Sequence, residues 1–260
     1  MSTFITLIYH SLAKASHSTY TVSSELFKTQ LAWLRSEGCV IEGFDGLEQR
    51  LVTNQWPERY IVMTFDDGHN SNLQAAEILH KNGARATFFL TKQLCQTRDD
   101  YLSEQDIRAL ADLFQVGSHS VTHPYMAKLP PAQIRYELAD SKAWLEDVTN
   151  KAVTAFSAPN GSINAKVIKL AMDAGYTLLG NSFEWWNHPS QVAAARIVNR
   201  IAVRRSFSMT AFATIVQQNT LFFLKRRIRS GLLLLPKALL TPEQIKRLTK
   251  SMSRLDKTYH

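Results

Sequence analysis

The chain has 260 residues, 45% of them hydrophobic, so it can bury a substantial core as one large α/β domain or two small ones. Its net charge of +8 is unevenly placed: residues 191–260 carry 14 Lys and Arg against 2 Asp and Glu, and residues 1–190 carry 16 against 20. The two cysteines, Cys39 and Cys95, lack metal-motif spacing and do not indicate a disulfide framework; they read as buried structural thiols and suit a reducing compartment.

The first ten residues lack the basic start, long apolar run and cleavage site of a signal peptide. No stretch approaches the roughly 18 apolar residues of a spanning helix. A cytoplasmic protein is expected.

Phe4 to Tyr9 reads as a first strand, short and apolar, ending at His10. Ser24–Glu37 has helical spacing and stops at Gly38. Tyr60 to Phe65 is a second strand and runs into Asp66-Asp67-Gly68-His69. Asn72–Asn82 sets Leu73, Ala76, Ile78 and Leu79 at helical spacing and stops at Gly83. Ala86 to Leu90 (strand), Ser103–Leu113 (helix) and Gln115 to Ser118 (strand) follow, the last leading into His119 and Ser120. Pro131–Val148 is helical, with Ile134, Leu138, Trp144 and Leu145 at apolar positions. Val153 to Phe156 leads into Ser157-Ala158-Pro159-Asn160-Gly161, and Asn164 caps a helix reaching Ala174. Tyr176–Leu179 and Ile201–Val203 complete the strands.

Such alternation predicts a parallel sheet, open or closed into a barrel. Beyond about Pro189 the pattern yields to three helical segments, Ser208–Gln218, Leu221–Leu235 and Pro242–Met252, the last capped by Thr241 with Gln244 completing a capping box. The expected organisation is a domain over residues 1–203 and a basic helical extension over 204–260.

In a parallel α/β barrel the functional site lies at the carboxyl ends of the strands. His10, Asp66-Asp67, His119 and the Ser157–Gly161 run all follow strands and would meet at one mouth. Within a regular strand Asp66 and Asp67 face opposite ways, but Gly68 permits an immediate turn that brings both to one place. Two close carboxylates repel unless a cation intervenes; a divalent metal lets one ligate while the other stays free as a base. His119 and His123 are spaced as paired ligands, and Pro124 keeps that segment off a helix. One carboxylate and two imidazoles with an open position form a catalytic metal set. Either piece alone is weak, since Asp-Asp-Gly is most often a turn; the convergence is what points to a hydrolase.

Thr64-Phe65-Asp66-Asp67-Gly68 and His119-Ser120-Val121-Thr122-His123-Pro124 resemble the first two motifs of the polysaccharide deacetylase family, carbohydrate esterase family four. Ala86–Leu90 matches a strand usual between them, and Phe156–Gly161 takes the place of the third motif; the similarity runs from about Phe4 to Ala202. The resemblance implies an α/β fold, a distorted (β/α)7 barrel with the helical extension behind it. It implies that Asp67, His119 and His123 bind one divalent metal, zinc first, with cobalt, nickel or manganese as alternatives. Asp66 would be the general base, and the backbone N–H of Asn160 would hold the oxyanion, with Ser157 and Pro159 on the oxyanion and substrate side. The implied activity is removal of N-acetyl groups from N-acetylhexosamine units of a polysaccharide, oligosaccharide or lipid-linked precursor in cell-surface glycan biosynthesis. An O-acetyl esterase and a catalytically weak glycan-binding protein are the alternatives.

The chain departs from the family twice. Ser157 stands where many members carry an arginine paired with the base, and no Leu-x-His near the C-terminus supplies the acid. His10 is the candidate replacement acid, a buried structural histidine being the alternative; His69 and His188 are weaker candidates. Trp185 and Trp186, beside Phe183, read either as sugar-stacking rings or as core.

The expected partner is an acetylated glycan. No nucleotide loop, nucleophile elbow or nucleic-acid motif is present. The apolar and cationic run from Leu221 to Leu235 suits peripheral contact with the inner face of a membrane, and equally a solvated basic face.

Overall fold

A computed structural model describes residues 3–13 and 18–224. The chain divides into the units Met1–Arg205 and Ser206–His260.

The first unit holds strands β1 (Ile5–Tyr9), β2 (Ser11–Leu12), β3 (Thr21–Val22), β4 (Val40–Glu42), β5 (Tyr60–Phe65), β6 (Thr87–Leu90), β7 (Gln115–Ser118), β8 (Ala155–Ser157), β9 (Leu178–Gly180), β10 (Ile197–Val198) and β11 (Ile201–Ala202). Its helices are α1 (Ser24–Ser36), α2 (Phe44–Thr53), α3 (Asn72–Lys81), α4 (Lys92–Thr97), α5 (Glu104–Leu113), α6 (Pro131–Thr149), α7 (Ala165–Asp173) and α8 (Pro189–Ala195).

Nine strands form one sheet in the order β10-β9-β8-β7-β6-β5-β1-β11, with β4 also on β5, and every pairing in it is parallel. β4 pairs Tyr60 to Val62 of β5 while β6 pairs Thr64 and Phe65, so those two share one edge. At the far ends β10 pairs β9 and β11 pairs β1, yet only Asn199 and Arg200 separate β10 from β11. The sheet is therefore a curled half-barrel whose two edges are joined by two residues. This is the distorted α/β barrel that the strand–helix alternation and the motif resemblance lead one to expect.

Every residue of β1, β5, β6, β8 and β9 is buried, as in sheets covered on both faces. Along β5 the period of two sends Tyr60 and Val62 to the interior with Phe4, Phe89, Ala155, Leu178 and Val198, and α2 adds Phe44 and Leu47 to that cluster. The same face continues through Thr64 to Asp66, so the interior grades from apolar at the amino end to ionic at the carboxyl end.

The helix over Ser24–Ser36 is capped by Ser23, α5 by a Ser103–Asp106 capping box, and α7 by Asn164 accepting from the Val167 N–H. The sequence pattern does not announce β2, β3, β4, β10, α2, α4 or α8. The strands have two or three residues, and α2 carries Gly46 inside its first two turns, which weakens its helical signal.

In the second unit α9 (Met209–Val216) is capped by the Ser208 side chain and buries Phe212 and Ile215. Residues 220–224 are also helical. The rest of the expected Leu221–Leu235 helix, the Pro242–Met252 helix with its Thr241 cap, and the basic run proposed to touch a membrane lie outside the described residues. Among the described residues no helix is long and apolar enough to cross a membrane.

Candidate metal centre

The register of β1 on β5 pairs Tyr9 with Phe65, and the Asp66 N–H donates to the Tyr9 carbonyl at 2.9 Å. His10 and Asp66 thus leave neighbouring strands side by side. The turn that brings the second carboxylate round begins on Asp67 itself, at φ +76°, and continues through Gly68 at φ +88°. A left-handed non-glycine residue costs about 1 kcal/mol or more and persists where its surroundings enforce it. Here the Thr91 N–H donates to the Asp67 carbonyl at 3.3 Å and the Leu102 N–H to the Gly68 carbonyl at 2.9 Å.

Strand β7 ends at Ser118, and two further left-handed residues, Ser120 (φ +71°) and His123 (φ +60°), fold the second motif back toward Asp67. The carboxylate of Glu137, buried on α6, accepts the N–H groups of Val121 (2.7 Å) and Thr122 (2.9 Å) and the Thr122 hydroxyl (2.6 Å). Ser120 Oγ accepts the His123 N–H at 3.0 Å. Two N–H groups at the start of α4, which have no partner within the helix, donate to this loop: Lys92 to the Ser120 carbonyl (3.2 Å) and Gln93 to the Val121 carbonyl (2.9 Å). With Thr91 on Asp67, one helix start clamps both motif loops.

His119 Nδ1 lies 2.8 Å from the Ser157 carbonyl, which can only accept; Nδ1 therefore carries the proton and Nε2 presents a lone pair. His119 Nε2 and His123 Nε2 each lie 3.4 Å from Asp67 Oδ1. The three candidate ligand atoms all fall within 4.8 Å of one another. Asp67 Oδ1 is closed from solvent with no hydrogen-bond partner among the described residues. A separation of 3.4 Å is long for a hydrogen bond, yet it matches the edge of a tetrahedron with ligand bonds of about 2.0–2.1 Å, which is about 3.3–3.4 Å. A buried anionic oxygen without a donor is costly unless a cation supplies its partner. Burial pulls the pKa of His119 below its ordinary value, outweighing the opposing pull of Asp66 and Asp67, and so favours the neutral form that ligates. The set is consistent with a divalent metal.

Asp66 is not the free carboxylate that the sequence suggests. Arg200 donates to both its oxygens, Nη1 to Oδ1 at 2.8 Å and Nη2 to Oδ2 at 2.9 Å, and Ser157 Oγ donates to Oδ2 at 3.1 Å. Burial by itself would raise the Asp66 pKa, but the Arg200 guanidinium, with His119 and His10 adding to it, holds the carboxyl far below the ordinary range. Arg200 is fully buried, donates from Nε to the Asn181 carbonyl at 3.0 Å, and lies 5.3 Å from the centroid of the Phe89 ring. Gly180 makes room for it: a Cβ there would meet Arg200 Nε at 2.6 Å.

The third motif contributes differently from what was expected. Ser157 is fully buried, so instead of facing substrate it bonds Asp66 with its side chain and His119 with its carbonyl. Pro159 is buried in the short turn Pro159–Gly161, whereas Asn160 is exposed at φ +55°. His10 is half-buried, its ring 5.0 Å from that of Tyr20, and its Nδ1 is enclosed without a hydrogen-bond partner among the described residues. Trp185 and Trp186 pack on one another at 4.2 Å in the connection from β9 to α8, and Trp186 Nε1 donates to His188 Nε2 at 3.3 Å. His69 bonds Ser71 and packs on Tyr101. Cys95 lies against Gly68, where burial and then Asp67 push its thiol pKa up to about 12.

Sequence reading misses Arg200 and Glu137. Glu137 stands on the stripe formed by Ile134, Leu138, Ser141 and Leu145 of α6; an acid on a buried face signals a demand for its charge.

A curled parallel α/β barrel with an Asp-His-His cluster at its strand ends defines the class. Within it, the sequence model described as polysaccharide deacetylase matches residues 53–179. The peptidoglycan-N-acetylglucosamine deacetylase of Bacillus cereus is 31% identical over 150 residues, which cover 55% of this chain and 67% of that one. The chain belongs to the polysaccharide deacetylase family. YxkH of Bacillus subtilis is 29% identical over 175 residues, 66% of this chain but less than two thirds, 62%, of that protein. A chitin deacetylase of Pestalotiopsis is 31% identical over 126 residues, 47% of this chain and 41% of its own length. Among solved structures, the Streptococcus pyogenes deacetylase PplD in complex with acetate is similar at a TM-score of 0.75 and 22% identity, over 83% of this chain and 97% of that one. That likeness establishes the fold.

Proposed function

We propose that this chain is a metal-dependent de-N-acetylase acting on N-acetylhexosamine units of a polysaccharide, oligosaccharide or lipid-linked glycan precursor. The observation that carries the proposal is the gathering of Asp67, His119 and His123 around one buried, unpartnered carboxylate oxygen, with ionised Asp66 3.8 Å from His119. Similarity to a peptidoglycan-N-acetylglucosamine deacetylase and to a chitin deacetylase supports an amide-linked acetyl group as target.

Asp67 and the two Nε2 atoms would hold the ion, zinc being the first choice for one carboxylate and two imidazoles. The ion supplies Lewis acidity toward an acetyl carbonyl and a water molecule. Asp66 takes the proton of the attacking water. Arg200 keeps it ionised and fixes its plane, while Oδ1 accepts only one of the protein bonds described above and keeps a lone pair for the transfer. His10, next to Asp66 at the end of β1, gives the proton that the departing amine needs. The exposed turn at Asn160 offers its N–H to the oxyanion. Trp185 and Trp186 offer flat apolar faces to a pyranose.

Acetate release from N-acetylated chitooligosaccharides and from acetylated xylan, by protein loaded with zinc, cobalt, nickel or manganese, tests this reading. Release from the first substrate, abolished in Asp66→Asn, is expected. Release only from xylan would make the protein an O-acetyl esterase, and release from neither would end the hydrolase reading.

A further inference from the structure

The rim beside the metal centre carries a feature that the chemistry above does not use. Tyr125 follows His123 by two residues, so their Cα atoms lie within about 7.6 Å by chain geometry alone. Tyr125 is 54% exposed, and the Lys128 ammonium stands over its ring, 4.7 Å from the centroid. The turn is fixed. Lys128 donates its N–H to the Tyr125 carbonyl at 2.9 Å, and the Ala127 N–H reaches Ser162 Oγ at 3.1 Å. Asn164 Nδ2 donates to the Ala127 carbonyl at 3.3 Å and Lys166 Nζ to the Leu129 carbonyl at 2.7 Å. The loops after β7 and β8 are therefore knit into one wall, with two exposed ammonium groups on it.

Charge on that wall has one sign. No Asp or Glu occurs from Thr122 to Tyr136 or from Ala158 to Met172, which are the two loops with the start of α6 and nearly all of α7 that follow them. An exposed aromatic residue suits contact with the C–H face of a sugar, the ammonium over its ring and the one on α7 suit an anionic substituent, and a braced loop lowers the ordering cost of binding.

We propose that Tyr125, Lys128 and Lys166 form a subsite for the sugar adjoining the one that is deacetylated, and that this neighbour carries a carboxylate or a phosphate. The proposal rests on the deacetylase reading and narrows its substrate to an anionic glycan.

Three matched N-acetylated oligosaccharides test it at low salt with the metal-loaded full chain: one neutral, one with a carboxylated neighbour, one with a phosphorylated neighbour. kcat/KM is expected to be about tenfold higher on a charged substrate, chiefly through KM. The better charged substrate identifies the group. In Lys128→Ala/Lys166→Ala the charged-to-neutral ratio falls toward one, as it does for wild type in about 0.5 M salt; Tyr125→Ala lowers kcat/KM on every oligosaccharide. Equal rates for wild type on all three, or a ratio that the double lysine change leaves intact, overturn the subsite. If no substrate releases acetate, the deacetylase reading fails by itself. Calorimetric titration of charged oligosaccharides without acetyl groups then decides: binding lost with the lysines supports the subsite, and no binding by wild type overturns it.

Discussion

Arg200 and Asp66 form a two-pronged ion pair, 2.8 and 2.9 Å long, that joins residues 134 apart in sequence and has no access to solvent at its cationic end. Arg200 occupies the two-residue link between the sheet's edge strands, so the closure of the barrel and the charge of its candidate base depend on one side chain. Breaking a buried pair by removing one partner costs about 3–5 kcal/mol. Arg200→Met is expected to lose stability of that order at neutral pH. In the native protein the Asp66 pKa lies below its unfolded value, so its contribution to stability is present above the ordinary carboxylate range and is lost only as pH falls through the depressed value. Without Arg200 only His119 and His10 oppose the burial penalty, so the Asp66 pKa rises from its depressed value and the stability tied to its charge is lost at higher pH than in the wild type. Its acid limb of kcat/KM moves to higher pH. Thermal unfolding across pH and a pH–rate profile check both; unchanged profiles would show that Arg200 does not set this charge.

Gly180→Ala attacks the same pair without touching either member. The added methyl would meet the guanidinium at 2.6 Å and Gly180 lies in β9, so the arginine has to move. A stability loss of about 1–3 kcal/mol is expected, with the acid limb displaced in the same direction as for Arg200→Met. A stability loss without that displacement would separate packing from electrostatics.

Glu137→Gln leaves shape nearly intact but replaces one accepting oxygen by an NH2 group. The amide oxygen can still accept both N–H groups, but the Thr122 hydroxyl contact must reverse and the charge that strengthened all three bonds is gone, so the second motif loosens about His123. Metal affinity is expected to fall by about 10–100-fold, a typical effect of disturbing the groups behind ligands, with destabilisation of about 1–3 kcal/mol. Metal titration and calorimetric unfolding read the two effects separately.

His10→Ala is expected to lower kcat by about 100-fold or more while leaving metal stoichiometry intact, the pattern of a lost proton donor. Near-normal turnover would remove His10 from the reaction and leave it as packing for Tyr20.

Local patterning made the four central residues legible. Asp66, Asp67 and His119 directly follow apolar runs, His123 follows His119 at the spacing of a paired ligand, and the parallel order of the sheet brings those strand ends together. Helices with strong caps, such as α5 and α7, also read clearly from Ser103 and Asn164. Arg200 did not, because its partner is fixed by sheet closure and not by neighbours in sequence. Its one local sign is the alternation of Val198, Arg200 and Ala202, which puts a cation on the face of a core valine. The strain at Asp67, Ser120 and His123 was invisible for a related reason: only the surrounding hydrogen bonds enforce left-handed backbone at residues that do not favour it.

Metal titration of chelator-treated protein tests the central claim most directly. The account predicts one zinc ion per chain for wild type and for Asp66→Asn, and binding at least about 100-fold weaker for Asp67→Ala and for His119→Ala. Failure of wild type to bind a divalent ion, or binding indifferent to the loss of Asp67, would contradict it.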